Sequence, residues 1–88
     1  MARISFSLTE TLKKGYRKPL KKARVLDIGC WEGRMSIPIA PKFKSLHGVD
    51  IRRSPMFKGK NVTFTKSSIF DYLKGCREKF DIIICSEV

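Results

Sequence analysis

No apolar run in this sequence approaches the roughly 20 residues needed to cross a bilayer, which excludes a membrane-spanning helix. The opening Met-Ala-Arg-Ile-Ser-Phe lacks the apolar central run of a secretion signal, so the expected compartment is the cytoplasm. Cysteine is scarce. Cys30, Cys76 and Cys85 make an odd number without paired spacing, which argues against a disulfide framework and a zinc site and for free thiols. The single histidine, His47, has no matching partner in the sequence and reads as structural or exposed rather than catalytic. Acid is also in short supply, eight Asp and Glu against nineteen Lys and Arg, for a formal charge of +11 over 88 residues. Such an excess points to an anionic partner, nucleic acid foremost, although lysine-rich surfaces also occur on proteins without one. Nothing in the composition argues for disorder, since 42% hydrophobic residues suffice for one small core.

What is present centres on Arg24-Val-Leu-Asp-Ile-Gly-Cys-Trp-Glu-Gly33. Val25, Leu26 and Ile28 read as a buried strand running into a loop that holds Gly29 and Gly33. The apolar segment from Met35 to Ala40 then starts a helix. Strand, glycine-rich turn and helix together form a cradle for a small polar or anionic ligand. Glycine lets backbone approach the ligand, and the first helical N–H groups face it. Asp27 places a carboxylate beside those donors.

Asp27-Ile-Gly29-Cys30-Trp31-Glu-Gly33 resembles the first motif of class I S-adenosylmethionine-dependent methyltransferases, Asp-x-Gly-x-Gly-x-Gly, with Trp31 at the middle glycine. An ordinary φ at that position tolerates the exchange, and the side chain then covers the ligand. The dinucleotide fingerprint Gly-x-Gly-x-x-Gly fits less well, because two of its glycines fall on Trp31 and Arg34. The resemblance implies an α/β fold, a Rossmann-like, mostly parallel sheet of about four strands in the order 3-2-1-4 with flanking helices. It covers residues 24–88, behind a basic arm or helix over residues 1–23.

Along the chain, Ile4, Phe6 and Leu8 alternate as in an edge strand or extended arm, and Thr9 caps a helix weakened at Gly15 and ended by Pro19. The segment from Lys13 to Arg24 carries Lys13, Lys14, Arg17, Lys18, Lys21, Lys22 and Arg24, either a solvated helix face and linker or a phosphate-binding patch with Tyr16 as a stacking platform. Arg34 to Phe43 is expected to form the first crossover helix, short or bent because of Pro38 and stopping near Pro41. Leu46 to Ile51 reads as the second strand, ending on Asp50. A carboxylate there, some 20 residues beyond a glycine loop, accepts hydrogen bonds from both hydroxyls of a ribose. Ile51 and Arg52 then flank the adenine, with a turn cap as the alternative role of Asp50.

The nine residues from Arg52 to Lys60 are too few for a crossover helix, so a turn is expected, with Met56 and Phe57 plugging the gap or forming a contact surface. Asn61 to Thr65 alternates like a half-exposed edge strand, and Asp71 to Lys79 suits a short helix broken at Gly75. The resemblance assigns Ser68 and Ile69 to the adenine. Ile82-Ile83-Ile84 reads as a strand covered on both faces, with Ser86 and Glu87 at its carboxyl end, where donor and acceptor meet in the family.

The cofactor the resemblance implies is S-adenosylmethionine, held by Asp27, Gly29, Cys30, Trp31, Gly33, Asp50, Ile51, Ser68, Ile69 and Ser86. No catalytic residue and no metal are assigned. The family fold needs about three further strands, so the chain reads as a fragment or as a short protein that pairs its open fourth-strand edge in a homodimer. The competing readings are a non-enzymatic basic module binding nucleic acid and a nicotinamide-type dinucleotide-binding protein.

Overall fold

A computed structural model describes residues 18–31 and 33–85. The expected N-terminal strand and helix, the cations Lys13, Lys14 and Arg17, and Glu32, Ser86 and Glu87 lie outside the described residues. Four strands form one sheet: β1 (Arg24–Ile28), β2 (Ser45–Asp50), β3 (Val62–Lys66) and β4 (Ile82–Ile84). Their order is β3-β2-β1-β4 and every pair is parallel, the Rossmann-like arrangement expected from the sequence. Val25 lies opposite Leu46 on one side and Ile82 on the other. β4 is tied in at its start, where the Arg24 N–H donates to the Asp81 carboxylate at 2.9 Å and the Asp81 N–H donates to the Arg24 carbonyl at 2.8 Å.

The first crossover is not the α-helix that the apolar run suggested. Residues 34–36 turn, and Ile37–Lys42 forms a 3₁₀ helix. Pro38 sits harmlessly in its first turn, whereas the Pro41 ring in an α-helix would meet the carbonyl four residues back and remove a donor. The tighter winding avoids that conflict. Asn61 then closes the helix end, its Nδ2 donating to the carbonyls of Ala40 at 2.8 Å and Phe43 at 3.1 Å.

One face of the sheet carries Val25, Leu46, Ile82 and Ile84, packed with Ala23, Ala40, Phe43 and Phe57. Residues 52–60 contain no helix, as their number required. In its place Phe57 inserts over the sheet, 4% exposed, while Met56 points away at 63% exposed. Gly48 makes room for it. A Cβ at that position would lie 2.4 Å from the Phe57 ring and 2.7 Å from the Cys30 sulfur. The opposite face carries His47, whose ring stacks on Tyr72 at 5.5 Å. Tyr72 belongs to the only α-helix among the described residues, α1 (Ile69–Gly75). That helix starts earlier than the sequence suggested because Ser68 caps it, its hydroxyl accepting from the Asp71 N–H at 3.1 Å. Both His47 nitrogens lie within hydrogen-bond reach of hydroxyls, Nδ1 of Thr63 at 2.5 Å and Nε2 of Thr65 at 2.8 Å.

β4 corrects the expectation of a strand covered on both faces. Ile82 and Ile84 are buried, but Ile83 is 57% exposed, and the α-helix described on its side of the sheet packs over β2 rather than β4. No described helix is long and apolar enough to cross a membrane.

Two measurements test this packing. Gly48→Ala places a methyl group where the Phe57 ring stands and should cost about 1–3 kcal/mol, read as a lower urea midpoint. Burial also holds the His47 pKa below its ordinary 6.5, so the ring is neutral above that pH in folded and unfolded chains alike. As pH falls through 6.5 the unfolded chain takes the proton first, and stability declines toward the lower folded-state value. The urea midpoint should therefore drop between pH 7 and pH 5, and the drop should shrink in His47→Asn.

Candidate functional site

At the carboxyl ends of the strands, β1 runs into its loop through one further bond to β2 and then one hydrogen-bonded turn. The Gly29 N–H donates to the Val49 carbonyl at 2.8 Å and the Gly33 N–H to the Cys30 carbonyl at 2.7 Å. Gly29 and Gly33 take the left-handed φ values of 67° and 72° that glycine adopts without penalty. At Gly33 a Cβ would also meet Ile37 and Phe57 at 2.5 Å, so that position is closed to any side chain.

Trp31 does not have the ordinary φ under which the exchange for glycine carries no strain. Its φ is 43°, in the same left-handed region, at a cost of roughly 1–2 kcal/mol for a residue with a side chain. The conformation turns its N–H toward Asp50, whose Oδ2 accepts it at 2.9 Å. The other carboxylate oxygen of Asp50 accepts the Arg52 N–H, also at 2.9 Å. One side chain thus fixes both the loop after β1 and the turn after β2. Hydrogen bonds to a charged group contribute about 1.5–3 kcal/mol each, enough to offset the strained backbone.

Between these two loops lies a cleft of about 400 Å³. Ile28, Val49, Ile51 and Ile69 give it apolar walls, and Gly29, Asp50 and Ser67 add polar groups. Trp31 and Arg52 form its rim. The structure therefore brings together Gly29, Trp31, Asp50, Ile51 and Ile69 of the residues singled out in the sequence, with Arg52 beside them. It does not bring all the others. Asp27 is 1% exposed and lies under the loop, where its carboxylate accepts a hydrogen bond from the Ser36 hydroxyl. Cys30 points into the core, and Gly33 is buried behind the cleft. Ser68 is occupied in capping α1, and Ser67 lines the cleft instead.

Ile28, Val49 and Ser67 are the lining residues that sequence reasoning missed. The signal for Ser67 was present. Ser68-Ile-Phe-Asp71 has the spacing of a helix cap, which commits the second serine to the helix and leaves the first to the cleft. The Ser67 N–H also donates to the Asp50 carbonyl at 2.9 Å, which carries the β2–β3 ladder to the edge of the site.

The Cys30 thiol is pushed up to about 12, by burial first and then by the charges of Asp27 and Asp50. It stays protonated at physiological pH and is no nucleophile. Iodoacetamide at pH 8 should accordingly label Cys85, which is exposed, and the half-buried Cys76 in the folded chain. Cys30 should react only after denaturation, and peptide mass mapping with and without urea separates the two cases.

Comparisons with known proteins agree with this geometry. A family model described as a methyltransferase domain matches residues 4–88. Among solved structures, the chain is similar to the YcgJ protein from Bacillus subtilis, with a TM-score of 0.63 and 25% sequence identity. The match covers 90% of this chain but 36% of that one. No curated protein matches. With nearly its whole length accounted for by the family model and its strand order reproducing the Rossmann-like sheet, the chain belongs to the methyltransferase domain family.

Proposed function

We propose that the cleft binds S-adenosylmethionine and that the chain provides the donor-binding part of a methyl-transfer site. The observation that carries this reading is the Asp50 carboxylate. It sits at the carboxyl end of the strand beside β1 and lines the cleft. Each of its oxygens accepts one backbone N–H, which leaves a lone pair on each for the two hydroxyls of a ribose. Ile51 and Ile69 offer apolar contact to a purine, and Ser67 a hydroxyl at its edge. Gly29 provides a stretch of backbone that a ligand approaches without meeting a Cβ. A volume of about 400 Å³ falls within the roughly 300–1,000 Å³ typical of small-molecule sites. These residues fit an adenosyl ligand.

When bound, S-adenosylmethionine supplies an electrophilic methyl group on a sulfonium centre. The work left to the chain is to bind, orient and partly dehydrate the donor, which positioning alone accomplishes. Neither Cys30, buried and protonated, nor His47, enclosed by Thr63, Thr65 and Tyr72, is placed to take a proton from an acceptor at this cleft.

Trp31 is the only tryptophan and stands on the cleft rim, so its fluorescence reports directly on the site. Titration with S-adenosylhomocysteine should give a saturable change, and NAD at the same concentrations should give none. Asp50→Ala should weaken the binding about a hundredfold, as expected for removing a charged acceptor worth about 3 kcal/mol. A wild-type response to NAD alone would favour a dinucleotide-binding role. Unchanged affinity in the variant would remove the assignment of Asp50 to the ribose.

A further inference from the structure

The rim of the cleft carries an aromatic and cationic cluster that extends beyond the groups assigned to the ribose and purine. The Trp31 indole is 41% exposed. Two guanidinium groups lie against that one ring, Arg34 at 5.9 Å from its centroid and Arg52 at 5.8 Å. Arg53 follows, exposed, in the same turn. Guanidinium–indole contact is favourable in itself and orients planar groups of the kind that bind phosphate oxygens bidentately. The left-handed backbone at Trp31 keeps the ring at the cleft entrance, since the same residue that bears the side chain is anchored to Asp50.

Of the lysines read as a phosphate patch in the sequence, the described Lys21 and Lys22 lie elsewhere. Lys21 and Lys22 belong to a 3₁₀ turn, Leu20–Lys22, just before β1. Five residues of strand separate that turn from the cleft, roughly 16 Å at the rise of an extended chain. Among the described residues the sheet therefore has cations at both ends, and at the cleft end they meet an exposed aromatic ring.

We propose that Trp31, Arg34, Arg52 and Arg53 bind a single-stranded nucleic acid, the guanidinium groups holding phosphates and the indole face taking a base. Charge complementarity selects this occupant: the chain carries +11, and stacking on an aromatic ring is the means by which single strands are held without regard to sequence. A strand seated there has a neighbouring nucleotide at the mouth of the cleft, so the methyl acceptor is a nucleic-acid base or sugar. The identity of the acceptor rests on the donor-binding reading above. Binding of the strand does not.

The test is fluorescence anisotropy with a labelled 12-nucleotide single-stranded RNA, across a series of salt concentrations. Arg34→Gln/Arg52→Gln should weaken binding at least tenfold and lower the salt slope by about 1.4, two phosphate contacts at about 0.7 each. Lys21→Gln/Lys22→Gln removes the same two charges and should cost less than threefold. Equal losses in the two variants would overturn the proposal, because a diffuse field and not the rim would then hold the strand. Arg34→Lys/Arg52→Lys keeps the charge and loses the planar groups, so it should still weaken binding about threefold. Wild-type affinity in that variant would overturn the role of the guanidinium groups even if the glutamine variant fails to fold. RNA should also quench Trp31, and polyphosphate should not. Equal quenching by both would leave an anion patch and no base site, and absence of RNA binding ends the proposal outright. S-adenosylhomocysteine binding without RNA binding would leave the donor reading standing alone, and the converse would leave the rim alone.

Discussion

The Asp50 carboxylate is the group on which the rest of the site depends. Two loops from different strands converge on it, and each surrenders a backbone N–H that has no partner within its own loop. The parallel register puts the end of β2 beside the start of the loop after β1, and the Gly29 N–H extends that pairing by one residue to Val49. Asp50 takes over where the ladder ends. A neutral side chain would hold both donors more weakly. The left-handed conformation of Trp31, the exposure of its ring and the shape of the cleft all follow from that arrangement.

Beneath the site, a parallel sheet with little helical cover is made workable by local substitutes. A parallel sheet is ordinarily packed on both faces. Among the described residues the core face is closed by a 3₁₀ helix and Phe57, and the other face by a two-turn helix over β2. Both substitutes depend on specific fits. Phe57 enters because residue 48 has no side chain, and α1 meets the sheet through Tyr72 lying on His47.

Strand positions were legible from the sequence because they rest on local signals: β-branched and apolar runs bounded by glycine, proline or charge. The parallel order was legible through the resemblance, and Asp50 through its distance from the glycine loop. The remaining errors share a cause. The conformation of Trp31, the burial of Asp27 and Cys30 and the exposure of Ile83 depend on what lies across the sheet, which spacing along the chain does not encode. The fit of Phe57 to Gly48 is of the same kind, a contact between two residues whose types are individually unremarkable. Ser67 and Ser68 differ from the rest. Their roles were written in a capping pattern, and the reading assigned the cleft to the wrong neighbour.

The position of β4 beside β1 has a consequence for the order in which the molecule is assembled. The Arg24 N–H and carbonyl are satisfied by Asp81, 57 residues further along the chain. At ribosomal rates of about 5–20 residues per second, roughly 3–11 s pass between the emergence of these two residues. Until Asp81 arrives, the edge of β1 that faces β4 in the finished sheet has no partner, with Val25 and Leu26 beside unpaired amides. An open strand edge of this kind is a template for pairing with another chain, and the arrival of Asp81 closes it.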